Sequence, residues 1–283
     1  MSDKSSPQEP GDGPVKRAPG PGRPFLLLVL IAMTGVFTVN VWLAFKLLQQ
    51  RTSDREHAFW VLCQPGHTLT ERQTAFRDLI ASGNKEWRAA VLSDLNLEGV
   101  WLNGLEFNHA LFLRANFSKA NLMGIRINKG SFELGNLSQA DLSKSDLSET
   151  QFYRANLKDA RLREASLRAA GMQEVNANHT DFFAADMAEA DCLMADFTGA
   201  NLSAADLSNA RLEAAIFKGA NLSLAKLSSA NLKDADLSDC NWWRASGLTS
   251  SQIATLKKRF APAEGADAAL REDYQKWLNH VTE

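Results

Sequence analysis

Residues 195–219 read ADFTG ANLSA ADLSN ARLEA AIFKG, five blocks of five in which a Leu or Phe recurs every fifth place. Working outward, this frame runs without a slip from Leu97 to Trp242. Of its 30 centres, 27 are Leu, Phe, Ile or Met; the others are Ala177, Cys192 and Trp242. The position two before each centre is Ala in 19 repeats and Gly, Ser, Thr or Cys in six more. Neither a helix, with period 3.6, nor a strand, with period 2, produces a period of five. A fixed internal repeat of this kind specifies a solenoid.

Blocks such as Ala115-Asn116-Phe117-Ser118-Lys119, Ala200-Asn201-Leu202-Ser203-Ala204 and Ala235-Asp236-Leu237-Ser238-Asp239 resemble the A-(D/N)-L-x-x motif of the pentapeptide-repeat family. The resemblance covers about half the chain. It implies a β-solenoid: a right-handed, quadrilateral parallel β-helix with four repeats per coil, the centre and the small residue pointing inward. Positions 20 apart should then stack. Asn96, Asn116, Asn136, Asn156 and Asn176 fall on one such column, Phe112, Phe132 and Phe152 on another, and Asn201, Asn221 and Asn241 on a third. Stacked amides bond along a column and stacked rings share buried area. At ~4.8 Å between strands, the coils would make a rod of roughly 36 Å. Val175 in a small slot beside Ala177 at a centre exchanges large for small. The coil around 171–180 is therefore expected to be the least regular.

The flanks read differently. Residues 1–24 are rich in Pro, Gly and Ser and form a disordered tail. Residues 25–45 contain no charge, long enough for one transmembrane helix, and end in bulky residues instead of a signal-peptidase site. Residues 46–91 read as a helical linker and an N-terminal cap. Its helix over 69–82 starts with a capping box from Thr68 and Glu71, or Thr70 and Gln73, and ends near Gly83. The repeats occupy 92–246. Residues 247–283 form C-terminal helices, with a capping box at Thr249 and Gln252. These helices cover strand edges that would otherwise aggregate.

The helix expected over 266–281 aligns Leu270, Tyr274, Trp277, Leu278 and Val281 on one stripe. That stripe either packs back onto its own chain or, as in some pentapeptide-repeat proteins, makes a dimer contact. Net charge is −2, yet residues 114–168 hold ten Lys or Arg against six acids, and 174–213 hold eight acids against Arg211. Some relatives bind DNA gyrase with acidic rods that imitate duplex DNA. The resemblance makes Asp186, Asp191 and Asp196 candidate contacts for that alternative role.

Chemistry is not indicated. The histidines lack metal-ligand spacing, the three cysteines form no C-x-x-C pair, and no Gly-rich phosphate loop precedes a helix. Cys192 and Cys240 fall in inward slots, leaving Cys63 as the exposed thiol. The reading is a non-enzymatic, membrane-anchored protein-binding or scaffolding rod with no cofactor, no metal and no direct nucleic-acid binding, and with homodimerisation open. Lys16, Arg17 and Arg23 before the span balance Lys46, Arg51 and Arg55 after it. Retention of the basic tail tips the expectation to repeats outside the cytoplasm, and the resemblance suggests a bacterial inner membrane.

Overall fold

The computed structural model describes Lys46, His57, Ala58, Val61, residues 67–83 and residues 87–282. The expected tail (1–24) and span (25–45) lie outside the described residues; among those described, no helix is long and apolar enough to cross a membrane. The chain divides into units Met1–Ser53 and Asp54–Glu283. All that follows concerns the second. Its elements are α1 (Leu69–Ala81), the coils, a 3₁₀ turn at Trp242–Arg244, α2 (Ser250–Phe260) and α3 (Ala268–Thr282).

The five-residue period is set by one hydrogen-bonding scheme, repeated. Every bridge is parallel and joins a residue to the one 20 places on, from Val91–Leu111 to Lys226–Ser246, four to a full coil. In the repeat centred on Phe132, the centre's N–H donates to Gln151 O (2.7 Å) and Leu134 N–H donates to Tyr153 O (2.9 Å). Ser131 N–H reaches back to Ala110 O (3.0 Å), and Gly135 N–H closes a turn onto Phe132 O (2.9 Å). The residue two past each centre adopts positive φ, between +53° and +64° at 26 non-glycine positions. Positive φ confined to that residue is the type II arrangement. Each such residue costs about 1–2 kcal/mol in the left-handed region, a cost offset by the bond its N–H makes to the next coil.

One amide per repeat, that of the residue just past the centre, has no backbone partner in this scheme. The motif's Asn or Asp supplies it. Of the eighteen Asn or Asp residues just before a centre between 96 and 241, seventeen accept that N–H, as Asn136 Oδ1 does from Ser138 (3.2 Å). The abundance of carboxylates is thus a turn requirement. Asn136 also donates to Asn116 Oδ1 and accepts from Asn156 Nδ2, both at 3.1 Å. Asn136→Ala would orphan the Ser138 amide and cut the ladder, so a loss of about 1–3 kcal/mol is expected in urea unfolding. Asn136→Asp, which keeps the acceptor, should lose less.

Inward, the centres stack. Phe112, Phe132 and Phe152 lie 4.9 and 5.3 Å apart between centroids in near-parallel stacks. The small slot is small because backbone crosses it: a Cβ on Gly130 would stand 2.9 Å from Ala110 O. Where the slot holds a hydroxyl, the oxygen donates to a centre's carbonyl in the preceding coil, as Ser145 does to Leu122 O (3.0 Å) and Thr180 to Leu157 O (2.6 Å).

Three expectations change. The repeats begin before Leu97: Trp87 and Leu92 occupy centres, and Trp87 N–H donates to Glu106 O (2.8 Å). The coil at 171–180 is as regular as its neighbours, with Met172 and Ala177 donating at 2.7 and 2.8 Å. The exchange at Val175 and Ala177 keeps core volume and leaves the ladder undisturbed. Finally, the amide ladder along the first Asn column runs from Asn96 to Asn156 without a bond to Asn176, whereas the other column extends back from Asn201 to Asp181 (2.8 Å).

Helices pack against both ends of the repeats. The capping box at α1 is Thr68 with Glu71, and that at α2 is Thr249 with Gln252. Arg72 and Gln73 of α1 donate to Val91 O (2.8 Å) and Asn96 O (2.7 Å), acceptors on the first coil's open edge. Phe76 packs on Trp87 with centroids 5.0 Å apart. At the other end Trp242 is fully buried, and its Nε1–H donates to Phe260 O at the end of α2 (3.0 Å).

Candidate binding surfaces

Asp186, Asp191 and Asp196 follow one another at five-residue steps, and each step is a new side of the coil. Their bridge partners differ accordingly: Ser166 and Asp206, Gly171 and Arg211, Asn176 and Ile216. They form no single row. Each caps its own turn, accepting from Ala188, Leu193 and Thr198 N–H at 3.0, 3.2 and 2.9 Å. Partial burial opposes the charge on Asp196, but hydrogen bonds from Thr198 and Asn178 outweigh it and hold the carboxyl below the ordinary range. Asp206 behaves likewise through Ser208 and Lys226.

The sign of the pH effect follows from these depressed values. Stability from Asp196 and Asp206 is fully present above the unfolded value, near 3.8, and is lost as pH falls through the lower folded values. Equilibrium unfolding should therefore show their contribution intact at pH 5 and falling only below about pH 4. Asp196→Asn, which retains an acceptor, should flatten that acid limb.

The uneven charge of the sequence is largely cancelled between coils. Arg154 pairs with Glu174 (2.7 Å), Arg163 with Asp181 (2.8 Å), Arg168 with Glu189, Arg211 with both Asp191 (3.2 Å) and Glu213, and Lys226 with Asp206 (3.1 Å). Among the described residues, Asp186 and Asp196 are the acids of 174–213 without an ion pair. Such exposed pairs add little stability. Their consequence is that the basic and acidic stretches neutralise one another along the wall.

The C-terminal stripe faces its own chain. Tyr274 is buried, its ring 4.8 Å from that of Trp243, and Trp277 lies 5.4 Å from Trp242. Leu270 and Leu278 are half-buried against the same core; the side chain of Val281 lies outside the described part. Asp273 receives Trp243 Nε1–H (2.8 Å) and the Arg244 guanidinium, which holds its carboxyl below the ordinary range. Lys257 sits over the Trp277 ring at 4.9 Å.

What the frame did not single out is the set of large apolar residues in outward slots. Trp101 is 73% exposed in the slot where most repeats place Asn or Asp. Met123 projects from the same side of the next coil, and Leu134, Met194 and Leu224 stand exposed in the positive-φ slot. Scoring each outward slot for its usual polar residue would have revealed them in the sequence.

Cys192 and Cys240 are free and buried. Burial pushes both thiols up, Cys240 to about 12. Below pH 9 Cys192 and Cys240 should not react with an aromatic disulfide reagent in the native protein, and both should react after denaturation. Two fast equivalents in the native state would contradict the burial of the core thiols. Among the described residues no group of three His, Cys, Asp or Glu could hold a metal ion.

A family model for pentapeptide repeats matches residues 90–128, 136–168, 165–203 and 205–241, just over half the chain. Solved structures with matching repeats include HetL of the cyanobacterium Nostoc sp. strain PCC 7120, a protein involved in heterocyst differentiation regulation. HetL is 24% identical over 61% of this chain and 95% of its own, with a TM-score of 0.25. QnrB1, a plasmid-mediated fluoroquinolone resistance protein, is 19% identical over 62% and 98%, with a TM-score of 0.39. A thylakoid-lumen repeat protein of Arabidopsis thaliana is 24% identical over 49% and 88%, with a TM-score of 0.19. Curated protein sequences give no match. The match to the family model, together with bridges recurring at 20 residues and a turn-capping Asn or Asp in repeat after repeat, makes this chain a member of the pentapeptide-repeat family.

Proposed function

We propose that this chain is a non-catalytic, membrane-anchored module that presents its solenoid as a protein-binding or scaffolding surface, with a right-handed coil and an anchor at residues 25–45. The observation that carries the reading is Trp101. A wall whose polar groups are consumed by turn caps and cross-coil pairs leaves little chemistry to offer, yet it exposes a Trp at 73% beside Met123. Exposed Trp residues are the typical anchors of protein interfaces. The wall suits binding for a second reason, since its backbone is fixed by ladders on both sides and pays little ordering entropy on association.

The alternative, a DNA-mimic modulator of gyrase or topoisomerase, draws on the acidic stretch. It is the weaker reading because Asp186, Asp191 and Asp196 stand on three sides and most neighbouring acids are paired. A homodimer through α3 would need Trp277 and Leu278 to leave their own chain, so we place the partner surface on the coils.

The test is photocrosslinking in cells of the native source, with a benzophenone amino acid replacing Trp101 or, as a control, exposed Lys158. A discrete adduct from position 101 and none from 158 is expected. Deletion of residues 1–45 should abolish the adduct if the anchor sets the location. No adduct at 101 would overturn the reading.

A further inference from the structure

The last coil carries the same donors as the coils before it, but among the described residues nothing receives them on the sides of Leu232 and Leu237. In the preceding coil Leu212 N–H donates to Asn231 O and Ala214 N–H to Lys233 O, both at 2.9 Å. One coil on, the equivalent amides are Leu232 and Asp234, and among the described residues neither has a partner, backbone or side chain. On two other sides of this edge the centre's amide finds an acceptor: Asn241 Oδ1 takes Leu222 N–H (2.6 Å) and Ser246 O takes Leu227 N–H (2.8 Å). On the Leu232 side the edge faces a groove of about 380 Å³, lined by Ala230–Ala235 and by Ser251, Gln252, Thr255, Leu256, Arg259 and Phe260.

The far wall is α2, and its chemistry is one-sided. The helix holds Lys257, Lys258 and Arg259 in its last turn and no acidic residue anywhere. Lys257 is turned over Trp277, while Arg259 lines the groove with its guanidinium 4.8 Å from the Phe260 ring centre. Lys233 is at the strand's side of the groove; Asp234 is the one acid lining it.

We infer that this groove takes an acidic peptide segment in extended form, paired as an added strand to Leu232 and Asp234. Two carbonyls of the guest, two residues apart, accept the free amides, and its carboxylates meet Arg259 and Lys233. Strand addition at an open edge derives affinity from main-chain bonds and specificity from alternate side chains. The volume lies within the range of peptide and ligand pockets, and the basic helix favours an acidic guest over a basic one. This inference rests on the reading of the chain as a binding module but places its own site about a solenoid's length from Trp101.

The experiment uses the full chain and two fluorescein-labelled probes, acetyl-Glu-Val-Glu-Val-Glu-amide and its Lys counterpart. Anisotropy should show the Glu peptide binding at least tenfold more tightly. Amide exchange at Leu232 and Asp234, fast in the free protein, should slow when the Glu peptide is present. Arg259→Glu should weaken the Glu peptide tenfold or more, and Thr255→Trp, which fills the groove from an exposed helix position, should abolish binding. Both variants should melt like the parent.

Binding that leaves Leu232 and Asp234 unprotected, or that survives Thr255→Trp, would reduce the effect to surface charge and overturn the inference. Protection that rises with protein concentration alone would assign the groove to a second copy and overturn it likewise. If Arg259→Glu leaves the adduct at position 101 unchanged while no peptide binds, the groove inference falls and the binding-module reading stands.

Discussion

Phe132→Ala should lower the unfolding free energy by at least 3–5 kcal/mol, the usual cost of removing a buried Phe side chain. Its position argues for the upper end. Phe132 is fully buried and stacks on Phe112 and Phe152 at 4.9 and 5.3 Å, with Phe117 edge-on at 5.5 Å. Each aromatic pair adds about 0.5–1.5 kcal/mol beyond area burial. Backbone ladders above and below hold the coil walls apart, so the cavity cannot collapse. A solenoid couples only to nearest neighbours, so the loss should appear as a lower urea midpoint together with a shallower slope, as the two halves begin to unfold separately. Phe132→Leu, matching the centre used in most repeats, should cost less than half as much. A Phe132→Ala variant that kept the parent's midpoint would mean that the column carries no stability.

Trp242→Ala should be nearly as costly, by about 3–5 kcal/mol, and should change the solution behaviour as well. Trp242 joins three elements: it closes the last coil, its ring lies 5.4 Å from Trp277 and 6.1 Å from Tyr274 of α3, and its Nε1–H holds Phe260 O of α2. Without it the helices lose their common anchor, and the free amides of Leu237 and Asp239 join those of Leu232 and Asp234 as an open strand edge. Open edges template association. Sedimentation of Trp242→Ala should therefore show concentration-dependent oligomers absent from the parent. Trp242→Phe retains the ring and loses one hydrogen bond, about 1 kcal/mol, and should stay monodisperse to the same extent as the parent. Oligomers in neither variant would separate the aromatic anchor from edge protection.

The repeat frame was legible because a period of five can be satisfied by only one kind of ladder. The inward positions and the stacked Phe column followed from the resemblance to the pentapeptide-repeat family, and the capping box of α2 from spacing; at α1 the spacing left two boxes open, and the structure forms that of Thr68 and Glu71. The frame also extends to Trp87, which was harder to see because Leu95, Val100 and Leu105 fill small slots and Trp departs from the usual centre. The role of the motif's Asn and Asp was not legible. Composition shows carboxylates; only the coil geometry shows that one amide per turn lacks a backbone partner.

The candidate surfaces divide in the same way. Sequence placed Asp186, Asp191 and Asp196 in one acidic stretch, but five residues is one side of a coil, so neighbours in sequence face different directions. Net charge along the chain likewise said nothing about pairing 20 residues apart, which joins Arg154 to Glu174 and Lys226 to Asp206. The aromatic stripe of α3 could pack inward or outward on periodicity alone, and the position of Trp242 and Trp243 turned it inward. Local sequence determined the period, the turns and the helix starts, because those depend on residues within five places of one another. The tertiary structure decided which side chains meet and which edge stays open, because both depend on contacts a full coil or more apart.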